Sequence, residues 1–169
     1  GSTSSGGGCV IPGTMITLAD GSQKAVENIL PGDELLVINH ETGQYDVSPV
    51  IFNDSEPLDM YDVTYLRFSD GSEVGISYEH GFFDKTLNKY VYITNSNGEE
   101  YIGHEFYTEN GYVTLDEVET VKEETRLYSP VTAWHLNYFT NGVLSMPGGI
   151  EGLFNIFEYE QDSLKYDEF

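Results

Sequence analysis

Short runs of apolar and aromatic residues recur along this chain, and turn-forming pairs separate them. Segments such as 62–68 (Asp-Val-Thr-Tyr-Leu-Arg-Phe) and 90–93 (Tyr-Val-Tyr-Ile) are rich in strong β-formers, and some alternate apolar with polar positions. The pairs between the runs are Asp20-Gly21, Asp70-Gly71, Asn97-Gly98, Asn110-Gly111 and Asn141-Gly142. Because such pairs between apolar runs are typical of β-hairpins, the pattern predicts an all-β fold.

A faint internal repeat suggests that the fold has two related halves. Residues 29–36 resemble residues 100–107, and each copy leads to an aromatic strand that ends in Asp-Gly or Asn-Gly. The spacing from Gly32 to Gly71 also equals the spacing from Gly103 to Gly142. Two halves folded around one axis would bring residues from both to a shared centre.

The two ends of the chain differ from its middle. Residues 1–8 have the composition of a flexible upstream segment or linker, so we predict one folded domain over residues 9–146. In the acidic C-terminal extension, residues 147–169, apolar side chains recur at helical spacing at Ile150, Leu153, Phe154 and Phe157. This spacing predicts a short acidic helix docked on the domain, with a partner-binding helix as the alternative.

Composition narrows the range of partners. The 169 residues suit one domain, and 39% apolar content is enough for a single core. The chain has 29 acidic against seven basic residues and a formal charge of −22, which would repel phosphate backbones and anionic membrane surfaces. We therefore predict no nucleic-acid partner and no membrane partner. The acidic surface is interpreted as a solvated one, with weak calcium binding as the alternative.

The chain has a single cysteine, Cys9, which cannot form an internal disulfide. A lone cysteine is ordinarily a small buried apolar residue, so a chemical role depends on its sequence neighbourhood. A thiol near its reference pKa of about 8.5 is a few per cent ionised at neutral pH and would then be a useful nucleophile.

Three segments in order resemble the hedgehog/intein (Hint) family, closest in pattern to its bacterial intein-like autoprocessing domains. They comprise residues 9–21 with 25–29 and 31–35, residues 74–83, and residues 127–131 with 136–144. The first is similar to the N-terminal block of the family over its full length. The second matches a Thr-x-x-His block, with Ser77 in the Thr position and His80 as the histidine.

The resemblance implies a pseudo-two-fold horseshoe of hairpins and a self-processing reaction. Cys9 would attack the peptide bond that joins it to Gly8, forming a thioester by an N-to-S acyl shift. His80 would protonate the departing amide nitrogen and Ser77 would offer a hydroxyl hydrogen bond. In an extended segment the side chains at i and i+3 point to opposite faces, so these roles require a turn at Tyr78-Glu79.

The partners implied by the resemblance are few. The substrate would be the domain's own upstream polypeptide, released in a single turnover to water, a thiol or an amine. We expect a monomer acting in cis, embedded in a larger bacterial or phage protein. The sequence gives no indication of compartment.

Departures from the family pattern affect the second cleavage. Inteins end in His-Asn, where the Asn side chain cyclises, but Met146-Pro147 stands at that place, so we expect no splicing by the usual route. Ser129 replaces an Asp common in the family. Leu136 stands where a His is frequent, and a one-residue bulge would bring His135 to the site instead.

Other interpretations of the same residues are open. A Hint-shaped module that no longer reacts, serving as a structural or protein-interaction domain, is the main alternative. Cys9, His80 and His135 could also meet as a zinc site, but their spacing does not favour one, so we predict no metal and no cofactor. His104 is interpreted as a surface or turn residue, and His40 as part of a hairpin turn.

Overall fold

A computed structural model describes residues 9–148, and strands dominate that part of the chain. The strands are β1 (Cys9–Val10), β2 (Met15–Thr17), β3 (Gln23–Ala25), β4 (Glu34–Asn39), β5 (Gln44–Phe68), β6 (Glu73–Ser77), β7 (Glu79–Asp84), β8 (Lys89–Thr94), β9 (Glu105–Thr108), β10 (Gly111–Thr132), β11 (Tyr138–Thr140) and β12 (Val143–Met146). Two 3₁₀ helices cover Val26–Asn28 and Gly98–Tyr101. Over residues 9–148, no helix has the length and apolar character needed to cross a membrane.

Two long strands, β5 and β10, form the frame of the fold. They pair antiparallel from Leu115 and Phe68 at one end to Thr132 and Val50 at the other. Shifts of register near Leu115, Thr125 and Val131 interrupt this ladder. Because such irregularities bend strands and increase their twist, the two strands can contribute to more than one part of the curved sheet.

The short strand β1 is inserted between β6 and β10. Val10 pairs with Ile76 of β6 on one side and with Tyr128 of β10 on the other. The chain leaving β1 passes very close to Gly75, where an added Cβ would lie 2.8 Å from the Ile11 Cδ1 atom. A larger residue at position 75 would therefore require the side chains of Ile11 and Tyr65 to move.

The two halves use the same local structure where the sequence repeat was seen. Gly32 has a φ of +93° and donates its N–H to the Val50 carbonyl, while Gly103 has a φ of +92° and donates to the Leu115 carbonyl. A 3₁₀ helix precedes each glycine and a strand follows it. Positive φ values near +90° favour glycine, which explains why this residue type recurs.

The buried apolar side chains form two clusters. The larger one is built mainly from β-branched and aromatic residues, among them Val10, Ile16, Leu66, Ile76 and Phe82. The smaller one includes Ile38, Phe83, Tyr90, Phe139 and Met146. Since the larger cluster contains Val10 and Ile76, the β1–β6 ladder is anchored in the core.

The predicted all-β class is confirmed, and most of the predicted turns are turns. Asn97-Gly98 is the exception, because Gly98 begins a 3₁₀ helix instead of closing a hairpin. The side chain of Asn97 accepts a hydrogen bond from the Thr94 N–H and donates one to the Tyr92 carbonyl, which favours this local helix. Residues 1–8 and the predicted C-terminal helix lie outside the described residues.

Candidate functional site

The predicted nucleophile and the predicted hydroxyl group lie on neighbouring strands. Cys9 of β1 is directly opposite Ser77, the last residue of β6. Both side chains are buried, with about 1% exposure each. The Ser77 Oγ atom donates a hydrogen bond of 2.8 Å to the Asp62 carbonyl, so its only proton is already engaged.

The chain turns sharply at Tyr78, as the predicted roles require. Tyr78 has a φ of +62°, and the next residue begins β7. Its backbone N–H donates to the Asn95 Oδ1 atom at 3.0 Å, while the Asn95 amide nitrogen donates to the Asp62 carbonyl and the Thr64 Oγ1 atom. Asn95 therefore ties the turn to β5, a positioning role that the sequence analysis did not identify.

His80 lies just beyond this turn, within the fold's interior. Its side chain is fully buried, and neither ring nitrogen has a hydrogen-bond partner among residues 9–148. The ring contacts Phe82 edge to face at 5.3 Å between centroids. Burial lowers the pKa of His80 to about 3, so the imidazole is neutral at physiological pH. A buried, unsatisfied imidazole is destabilising and is characteristic of functional positions.

The Cys9 thiol differs from the sequence-based expectation. Burial, and then the nearby carboxylates of Glu56 and Asp54, raise its pKa to about 12. At neutral pH on the order of one molecule in 10⁵ would then carry the thiolate, far fewer than the few per cent of a thiol with its reference pKa. The physical reason is that a charged sulfur loses its hydration at this site and faces like charges.

A polar row runs from Cys9 towards β5. Val10 pairs with Tyr128 in the antiparallel β1–β10 ladder, so continuing this register by one residue places Cys9 opposite Ser129. Ser129 in turn pairs with Asp54 of β5. Residues directly opposite each other in such ladders present their side chains on the same face. A small buried hydroxyl, that of Ser129, therefore lies beside Cys9, with a carboxylate on the adjacent strand.

Asp54 and Glu56, which we call the carboxylate pair, were missed by the sequence analysis. They are two residues apart on β5 and so lie on one face, and both are half-buried. Glu56 pairs with Leu127 in the same regular stretch of ladder that contains Asp54. The alternation of acidic and other residues in the sequence contained this information, but nothing in it showed that the acidic face adjoins Cys9.

His135 lies in the segment between β10 and β11 and contacts residues of β5. Its Nε2 atom is 3.5 Å from the Asp46 Oδ2 atom, and its backbone N–H donates to the Ser48 Oγ atom. The contacts described for residues 9–148 do not join it to Cys9. The following Asn137 is buried and bonds both the N–H and the carbonyl of Ile38, which is a structural role. The catalytic role of His135 stays a prediction.

The final strand ends close to His80. Met146 of β12 pairs with Gly81, the residue after His80, and a Cβ added at Gly81 would be 3.0 Å from the Met146 Cγ atom. Pro147 therefore follows directly at this edge of the site. Neither Met146 nor Pro147 carries a side-chain amide or acid at this edge of the site.

The remaining histidines pair with residues of the fold. His104 Nδ1 is 2.6 Å from the Oδ2 atom of the fully buried Asp84, so it is more than the surface or turn residue expected. His40 lies in the β4–β5 turn, as predicted, and its Nε2 atom is 2.6 Å from the Tyr90 hydroxyl. Within residues 9–148, no three His, Cys, Asp or Glu side chains are grouped to hold a metal ion.

Comparisons with known proteins identify the architecture. No protein-family model matches the chain, and no curated protein sequence matches it. Among solved structures, it is similar to a bacterial intein-like domain from Clostridium thermocellum, with 21% identity and a TM-score of 0.69, covering 82% of this chain and 97% of that one. The gp41-1 intein has 21% identity and a TM-score of 0.63, with 82% and 98% of the two chains covered.

A variant of the Ssp DnaB mini-intein is also similar, at 14% identity and a TM-score of 0.66, with 83% of this chain and 95% of that one covered. These likenesses extend over nearly the whole length of each of the three structures. Their low sequence identity means that they bear on the fold alone. The chain therefore has the Hint-type fold that inteins and a bacterial intein-like domain share.

Proposed function

We propose that this chain is a self-processing domain that cleaves the peptide bond between Gly8 and Cys9 through a thioester. The observation that carries the proposal is the fully buried imidazole of His80, which lies beside the turn at Tyr78 and has no hydrogen-bond partner within residues 9–148. That turn connects His80 to Ser77, which in turn faces Cys9. A buried imidazole without a partner can form a hydrogen bond to a group that residues 9–148 do not supply. The peptide bond between Gly8 and Cys9 would be such a group.

The N-to-S acyl shift is balanced and needs no outside reagent. The Cys9 sulfur forms a bond to the Gly8 carbonyl carbon, the C–N bond to Cys9 breaks, and the thiol proton ends on the new amino group of Cys9. Neutral His80 donates its ring N–H to the departing nitrogen and is reprotonated by the proton that the thiol releases. Water, a thiol or an amine then attacks the thioester and releases the upstream segment.

The high pKa of Cys9 favours a slow first step. Because the thiolate is rare in the resting site, the sulfur must lose its proton as the attack proceeds. The Ser77 hydroxyl, whose proton is bonded to the Asp62 carbonyl, keeps its oxygen available as an acceptor. It therefore orients an N–H of the scissile region instead of donating to it.

The test is a mass measurement on the complete chain. Incubation with dithiothreitol should release residues 1–8 and leave a product that begins at Cys9. The alternative, a non-reactive Hint-shaped structural or interaction module, predicts an unchanged mass under all thiol concentrations. An unchanged mass for a folded chain over days, at pH values from 7 to 9, would reject the proposed function.

A further inference from the structure

We propose that the carboxylate pair, Asp54 and Glu56, electrostatically restrains Cys9 and slows thioester formation, so that removing either charge accelerates cleavage. This inference rests on the proposed function and concerns regulation of the same site. It adds to the Cys9, Ser77 and His80 assignment two residues of β5 whose effect opposes the reaction.

The geometry places these charges where they act on the sulfur. The row runs from Cys9 through Ser129 to Asp54 and crosses two strand spacings. The backbones of Cys9 and Asp54 are therefore roughly 10 Å apart. Ser129 is buried and uncharged, so it offers no counter-charge between them. Asp54 accepts a hydrogen bond from the Ser55 N–H, and no Lys or Arg among residues 9–148 forms an ion pair with it.

The restraint acts on the charge that develops during attack. As the thiol proton leaves, negative charge grows on sulfur, and two nearby carboxylates raise the energy of that state. Because the carboxylates are only half-buried, salt can still screen them in part. The shift in the pKa of Cys9 agrees with this restraint. Burial is the largest cause of the raised pKa, and Glu56 and then Asp54 raise it further.

The other titratable groups around Cys9 do not change charge in the relevant range. Tyr61 on β5, Tyr78 in the turn and Tyr138 on β11 all have pKa values raised above that of an ordinary tyrosine, mainly by burial, so they are neutral at pH 6–9. His80 on β7 is also neutral there. Asp54 and Glu56 are therefore the groups whose charges act on the sulfur in this interval.

The experiment measures cleavage of the complete chain by hydroxylamine, a neutral nucleophile whose approach the carboxylates do not oppose. Glu56→Gln and Asp54→Asn should each accelerate release of residues 1–8 at pH 7 by about three- to tenfold, the effect of one nearby charge. Their pH–rate profiles should move to lower pH. The matched control is Glu124→Gln, an exposed acid on β10 that pairs with Met60, and it should leave the rate unchanged.

Salt provides a second measurement, and its main result needs only the unaltered chain. Added sodium chloride should accelerate cleavage of the unaltered chain, because it screens the carboxylates. It should have a smaller effect on a variant that carries both Asp54→Asn and Glu56→Gln. Unchanged or slower cleavage in both folded variants, or a rate of the unaltered chain that is flat with salt, would overturn the restraint. If neither the variants nor the unaltered chain is cleaved, the proposed function itself is rejected.

Discussion

Cys9 and Ser77 lie directly opposite each other in the β1–β6 ladder, and both are buried. The pairing fixes the sulfur at the edge of the turn that leads to His80, because Ser77 ends β6 and Tyr78 redirects the chain. The register of one short strand thus determines which side chains the thiol meets.

Replacing Cys9 with Ala should abolish thiol-induced cleavage at the Gly8–Cys9 bond. The change removes one sulfur atom at the end of β1, so the fold should be retained with only a modest loss of stability. Mass spectrometry after dithiothreitol treatment, with circular dichroism to check folding, measures both outcomes. Continued cleavage of the Ala variant at this bond would mean that another group is the nucleophile.

His80→Ala should slow cleavage by about 10²–10⁴, the usual contribution of a positioned acid or base. Ser77→Ala should cost less, because it removes a hydroxyl whose proton already bonds the Asp62 carbonyl and leaves His80 in place. Single-turnover rates of residue 1–8 release compare the two. A larger loss for Ser77→Ala in two folded variants would reverse the assignment of roles.

The C-terminal extension should remain attached under conditions that release residues 1–8. Asn cyclisation requires a side-chain amide at the end of the last strand, and Met146-Pro147 supplies none. We expect one large product that begins at Cys9 and ends at Phe169. A spliced product, or a new terminus near Ser145 to Gly148, would show that a different group cuts the downstream junction.

Stability should fall with decreasing pH because of His80. Its pKa is about 3 in the folded chain against 6.5 for the ordinary side chain. Between these values the unfolded chain binds more protons, so the stabilising contribution is complete above pH 6.5 and is lost progressively as the pH falls towards 3. Between pH 7 and pH 5 the loss should be about 2 kcal/mol.

Urea denaturation of the unaltered chain and of His80→Phe isolates this contribution. Phenylalanine fills a similar volume beside Phe82 and does not titrate, so the variant should lose less stability between pH 7 and pH 5. The other titratable groups are the same in both proteins and should affect them alike. Equal pH dependence in the two proteins would show that His80 is not buried as a neutral group.

The sequence was sufficient to predict the class of fold and the local turns that require glycine. Gly32 and Gly103 show why, since each must adopt a positive φ and is bonded to an equivalent carbonyl in its own half. The turn at Tyr78 could also be predicted, although a tyrosine rarely has a positive φ, because the roles given to Ser77 and His80 required it.

The electrostatic environment could not be predicted in the same way. The pKa of Cys9 depends on burial and on Asp54 and Glu56, which are more than 40 residues away in the sequence and reach the site only through the registers of two ladders. The same limit applies to Asn137, whose side chain bonds the backbone of Ile38 across the fold. Long-range register decides such contacts, and local patterns do not encode it.

The position of Met146 beside Gly81 has a consequence for any polypeptide that carries this domain. Cys9 is paired with Ser77 and Met146 with Gly81, so the incoming and outgoing ends of the folded part are both attached to one five-residue stretch of chain. A domain with neighbouring ends can be inserted into a host protein while the two host ends remain close together. The two points at which upstream and downstream polypeptide would join the folded part are therefore held close together by the pairing of Cys9 and Met146 with this one stretch.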